Sequence, residues 1–198
     1  MEDQNSNHPL YDYTSRLRLT LKAWPVIAAA TIGLCYLTQT VAKGFGIELP
    51  DQANIELVKR YAGWNRTFVL LCAQVIILMP AIEELIFRYC LFRLPIKVGR
   101  ALRARRNQNK TETASSGDCG EAGVLALPLT AAGSSILFSA AHYLAQPWPD
   151  AAFIALFFFG LAQCWLYKKT GRLWCAILNH GLFNLTNLVL LFILPEAA

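Results

Sequence analysis

The sequence predicts an all-α fold: a polytopic helical membrane protein with about five transmembrane helices. Three observations carry this. The 198-residue chain is 55% hydrophobic and 16% charged, with a mean hydropathy of +0.37, whereas soluble domains carry about 25% charge. Five apolar segments, 24–43, 66–93, 124–147, 151–168 and 173–194, each approach the roughly 20 residues that span a bilayer. All five tryptophans, Trp24, Trp64, Trp148, Trp165 and Trp174, lie near the ends of those segments, where an interfacial aromatic belt sits.

Taken in order, residues 1–23 form a polar tail and 24–198 a single helical membrane domain. The first apolar segment reads as a retained span, because a long polar stretch precedes it and no clean small-residue cleavage site follows. Residues 44–65 form an external linker, in which 51–61 (DQANIELVKRY) reads as a short amphipathic surface helix. Residues 94–123 form a basic, flexible loop. Its first part (KVGRALRARR, 97–106) suits anionic headgroups, and its second (107–123) is polar, Gly/Ser-rich and reads as disordered. No aromatic residues interleave the basic run, so nucleic acid is not an expected partner.

Lysine and arginine counts set the orientation. With the N-terminus inside, Arg16, Arg18, Lys22, Arg93, Lys97, Arg100, Arg103, Arg105, Arg106, Lys110, Lys168, Lys169 and Arg172 are cytoplasmic. Only Lys43, Lys59, Arg60 and Arg66 are external. The expected location is the cell (cytoplasmic) membrane, with the N-terminus cytoplasmic. The six cysteines include no CxxC and read as small, reduced packing residues.

Against this apolar background five ionisable residues fall within spans: Glu83, Glu84, Arg88, His142 and His180. Each costs about 2.5–3.5 kcal/mol at a helix centre on insertion scales, so such groups face a protein interior or a wet cavity. Glu84 and Arg88 are four apart and share a helix face, whereas Glu83 lies about 100° round from Glu84. His180 and Asn184 are also four apart, with Asn187 extending the stripe. His142 lies one turn beyond Phe138, with Ser135 and Ser139 near it. Pro80 removes a backbone donor just before the glutamates. Taken singly, each feature has a structural reading. Glu84–Arg88 reads equally as an ion pair, Asn184 as interhelical glue, Phe138 as packing, and Gln74, Gln163 and Asn187 as structural polar groups.

The combination carries more. EELIFR (83–88), FSAAH (138–142) and HGLFN (180–184) match EExxxR, FxxxH and HxxxN in order on successive spans. Together they resemble the CPBP family of intramembrane proteases (CAAX proteases and bacteriocin-processing, Abi proteins), and most nearly its type II CAAX prenyl endopeptidases. The resemblance covers about residues 66–194. It implies a catalytic group of Glu83, Glu84, His142, His180 and Asn184. In it Glu83 is the base that activates a water, His142 orients that water, His180 and Asn184 stabilise the oxyanion, and Arg88 and Phe138 support the site. It implies a membrane-associated protein or peptide substrate, CaaX-type and prenylated in the family, amid membrane lipids.

No cofactor is favoured. The alternative is a divalent metal such as zinc on Glu83, His142 and His180, a His₂Glu set that leaves a position for water. The enzyme would then be a metalloendopeptidase rather than a glutamic endopeptidase. Two other classes stand beside the protease: a non-enzymatic immunity or scaffold protein using the polar cluster to pack helices, and a proton-coupled carrier. The absence of an inverted repeat speaks against the carrier. One expectation conflicts with the rest. In this topology His142 lies towards the outer end of its span, about 10 Å from the depth of Glu83 and His180. A third span running from near Pro128 past Trp148, or a kinked, partly re-entrant 66–106 segment, would remove the mismatch.

Overall fold

The structure is a computed structural model, described over residues 12–47, 60–63, 65–110, 121–144 and 152–193, with side chains of 106–110 and 121–126 excepted. Among the described residues it is a bundle of five long helical segments: α1 (Tyr13–Gly44), α2 (66–110), α3 (Glu121–Leu144), α4 (Ala152–Thr170) and α5 (Leu173–Ile193). Side chains of Asp12 and Asn65 cap α1 and α2, accepting from the backbone N–H groups of Ser15 and Phe68, both at 2.9 Å. Gly171, at φ 66°, turns the chain between α4 and α5 and returns its N–H to the Tyr167 carbonyl at 2.8 Å. By length and composition α1, α2 over Arg66–Arg105, and α5 can each cross a membrane.

α2 differs from the sequence expectation in two ways. It continues as helix over Leu94–Lys110, where a flexible loop was expected. The 107–123 stretch read as disordered is helical at 107–110 and 121–123, and 111–120 lie outside the described residues, as do 51–59, Trp64 and Trp148. It also winds wide, with i→i+5 bonding over Gln74–Leu78 and again over Leu85–Arg93, and its helical turns run on without a break.

Pro80 explains a consequence of the first wide turn. Met79 donates to the Gln74 carbonyl. Val75 therefore loses its usual helical donor, and the next residue along, Pro80, has no N–H to offer. The side chain of Asn184, on α5, supplies the missing donor, its Nδ2 reaching the Val75 carbonyl at 2.8 Å.

The core is aromatic. Phe87, Phe138, Phe159 and Phe183 meet Ala23, Ile27, Ala28 and Leu166 at the centre, and Phe92, Cys164 and Tyr167 form a second cluster with Leu127 and Ala131 beside it. Small residues allow close approach: a Cβ on Gly160 would lie 2.9 Å from the Ser135 side chain. Polar ties cross between helices. The Trp24 indole donates to Thr186 at 3.1 Å, Gln163 donates to Asn179 at 3.0 Å, and Asn179 donates to the Thr20 carbonyl at 3.4 Å.

The depth mismatch disappears because α3 sits low. Leu127 and Ala131 pack beside Phe92, so about three to four turns later His142 arrives level with Glu83, midway along α2, and only two residues before α3 ends at Leu144. Ser139 donates to the Phe153 carbonyl, which places the start of α4 at the same depth. The site thus lies beside the last turn of α3 and the first turn of α4, and part-way along α2 and α5.

Candidate active site

The structure brings Glu83, Glu84, Arg88, His142 and His180 together from α2, α3 and α5. Glu84 and Arg88 are both fully buried, with Oε2 and Nε 3.1 Å apart. The other carboxylate oxygen of Glu84 meets His180 Nδ1 at 2.9 Å. Arg88 also lies over the Phe138 ring, 4.7 Å from its centroid, a cation–π contact that is strongest where water is excluded. Phe138 has no exposed surface. Its ring packs on His142 at 4.5 Å and on Phe87 at 5.2 Å, and its carbonyl faces His142 Nδ1 at 2.9 Å. Phe159, which the motif reading did not single out, packs on His180 at 5.0 Å.

These contacts fix the tautomers. A backbone carbonyl only accepts, so His142 must carry its hydrogen on Nδ1. Glu84, paired with Arg88, also accepts, so His180 carries its hydrogen on Nδ1 as well. In the neutral rings both Nε2 atoms therefore keep a lone pair. Both point at the same oxygen: Glu83 Oε2 lies 3.7 Å from His142 Nε2 and 3.6 Å from His180 Nε2. Those distances are too long for direct hydrogen bonds. Three acceptors converge with no donor among them, and the two hydrogens of one water are what such a place lacks. The side chains of His142 and Glu83 are 28% and 16% exposed, whereas that of His180 is 4% exposed, so it is the His142 edge of the site that faces outward.

Asn184 is on the neighbouring turn of α5 from His180, but one of its two amide hydrogens is already on the Val75 carbonyl. The motif supplied Asn184; its tie to α2 was not legible, although Pro80 signalled that a carbonyl would be left over. Gly181 follows His180 directly on α5. A Cβ there would lie 2.5 Å from the Ile76 carbonyl oxygen, so α5 and the wide turn of α2 meet backbone to backbone. Gly181→Ala is expected to cost about 1–3 kcal/mol through overpacking and to push His180 away from Glu83. A lowered Tm together with lost activity, for a change of one methyl group, checks it.

Glu83, His142 and His180, two histidines with oriented Nδ1 atoms and a carboxylate, are zinc-type donors and would be the residues to hold a metal; among the described residues no group of three His, Cys, Asp or Glu side chains has the geometry of a formed metal site.

Comparison with known proteins gives a family. The Rce1-like model, described as type II CAAX prenyl endopeptidase Rce1-like, matches residues 65–186. That range is more than half of the 198 residues and contains every motif residue from Glu83 to Asn184. No curated protein and no solved structure matches the chain. With its membrane-crossing helices and this match, the chain is an integral membrane protein that belongs to the Rce1-like family of type II CAAX prenyl endopeptidases.

Proposed function

We propose that the protein is an intramembrane endopeptidase that hydrolyses peptide bonds of membrane-associated substrates, prenylated CaaX-type tails among them, with a glutamate-activated water. One observation carries the reading: the Nε2 atoms of His142 and His180 both face Glu83 Oε2, at 3.7 and 3.6 Å, with their Nδ1 atoms tied elsewhere.

In this mechanism a water donates one hydrogen to Glu83 and the other to His142. Glu83 takes its proton as the water oxygen attacks the scissile carbonyl carbon. The carbonyl oxygen becomes an oxyanion, stabilised by the second amide hydrogen of Asn184 and by His180, whose Nε2 takes up a proton from solvent before the attack and gives it back after product release. Donors fixed away from bulk water stabilise such charge far better than water does. When the tetrahedral intermediate collapses, the C–N bond breaks and Glu83 returns its proton to the leaving amine. Glu84 and Arg88 hold His180 in its tautomer and take no part in the bond changes. No step passes through a metal. The proposed setting is the cell membrane with the N-terminus and the 168–172 turn on the cytoplasmic side, as the lysine and arginine count favours.

The test is to incubate the purified full-length protein with quenched fluorescent peptides, lipidated and unlipidated, with and without a chelator. The expected result is cleavage that prefers lipidated peptides and survives chelation. Chelator-sensitive cleavage would replace the glutamate mechanism with a metal one. A folded protein inert on all peptides would favour the scaffold reading.

A further inference from the structure

A second polar site lies around the α4–α5 turn, away from the exposed edge of His142. A cleft of about 560 Å³ is lined by Arg16 of α1, by Leu85, Tyr89 and Arg93 of α2, and by Tyr167, Thr170, Gly171, Arg172 and Leu173 around the α4–α5 turn. Three helical segments each contribute a guanidinium or its neighbours, and no aspartate or glutamate is among these described lining residues. Arg93 is held in place: its Nη1 donates to the Tyr167 hydroxyl at 2.6 Å and to the Gly171 carbonyl at 3.4 Å, and its guanidinium lies 5.3 Å from the Tyr167 ring centroid. Gly171 owes its carbonyl direction to the left-handed turn at φ 66°. Arg172 is exposed beside it.

We propose that this cleft binds the phosphate of an anionic phospholipid headgroup. Guanidinium groups match phosphate oxygens in geometry and charge, and a rim of arginines on the cytoplasmic side meets the leaflet that carries anionic lipid. The lining argues for a lipid rather than a soluble anion. Leu85 and Leu173 provide an apolar wall, and exposed Ile82, Leu85 and Ile86 continue down α2 as a surface for acyl chain. Tyr13 and Trp174, stacked at 5.1 Å, mark the same end of the bundle as an interfacial level. Because the cleft joins α1 to α2 and to the α4–α5 turn, an occupied headgroup ties together segments that flank the site without touching Glu83. This proposal stands apart from the peptidase reading.

The experiment is native mass spectrometry of the full-length protein in detergent, titrated with phosphatidylglycerol or with phosphatidylcholine of the same acyl chains. Wild type is expected to retain phosphatidylglycerol and not phosphatidylcholine. Arg172→Gln and Arg93→Gln are each expected to weaken the retained lipid about fivefold, while Lys168→Gln, an exposed lysine outside the cleft, leaves it within about twofold. If Arg93→Gln fails to fold, Arg172→Gln, at an exposed position, carries the test alone. Equal retention of both lipids, equal affinity in Arg172→Gln and wild type, or displacement of the lipid by millimolar inorganic phosphate, which would mark a free-anion site, overturns the proposal.

Discussion

Glu83→Gln is expected to reduce kcat/KM for peptide cleavage by about 10²–10⁴-fold, the usual contribution of a general base, while leaving the bundle folded. Both halves follow from the site. Glu83 keeps 16% of its side chain exposed and faces the two Nε2 atoms from beyond hydrogen-bond range, so the fold does not depend on its charge. Glutamine keeps the shape, and its amide can even donate to one of those lone pairs. What it cannot do is accept a proton from water. The check is kcat/KM beside a thermal unfolding curve for each protein. An inactive variant with an unchanged Tm supports Glu83 as base. A variant that keeps wild-type activity removes Glu83 from the mechanism, and one that loses activity and Tm together makes it structural. His142→Ala serves as a companion, because it removes the water's second acceptor and leaves Glu83 intact.

Much of this site was legible from residue types and spacing. Charged groups inside apolar spans stand out, and spacing of four fixes which of them share a face, so the Glu84–Arg88 pair and the distinct direction of Glu83 were within reach. Depth was not. Hydropathy reports where a segment is apolar, not how far one helix slides along its neighbour, and the low position of α3 depends on Leu127 and Ala131 packing at Phe92. The partner of Asn184 was hidden for a similar reason. Pro80 says that α2 will have a carbonyl to spare, but which side chain meets it depends on how closely α5 approaches, and that depends on Gly181 lying against Ile76. Gln163 reads as structural from its polarity; its donation to Asn179, and from there the link to Thr20, needs three helices to be placed. The 94–110 segment shows the converse. Its charge argued against a span and was read as loop, yet arginine and lysine are good helix formers, and the helix simply runs on.

The other large effect is expected at Arg88, and it separates holding the fold from positioning the site. Arg88→Leu leaves the Glu84 carboxylate, which has no exposed surface, without its counter-charge and with His180 Nδ1 as its remaining contact. Breaking a buried pair by removing one partner costs about 3–5 kcal/mol, a large share of the stability of a bundle this size. The pair itself is costly to bury: beyond the 3.1 Å contact between Arg88 Nε and Glu84 Oε2, neither of these atoms nor Arg88 Nη1 and Nη2 has a hydrogen-bond partner among the described residues. Replacing both members with apolar residues of similar volume therefore removes a large desolvation penalty along with the attraction, and such replacements are often neutral or stabilising. Glu84→Leu combined with Arg88→Leu is expected to recover most or all of the stability that Arg88→Leu loses. It is not expected to recover activity, because His180 Nδ1 then has no carboxylate at 2.9 Å to fix its tautomer and ring angle. Loss of an orienting partner of this kind typically costs 10–100-fold, or roughly that much in kcat/KM here. Thermal unfolding and cleavage rates of the two variants give the answer together. A double variant that is stable and slow assigns the pair to orienting His180, whereas one that is stable and fast would leave Glu84 and Arg88 as packing alone and take the tautomer argument down with it.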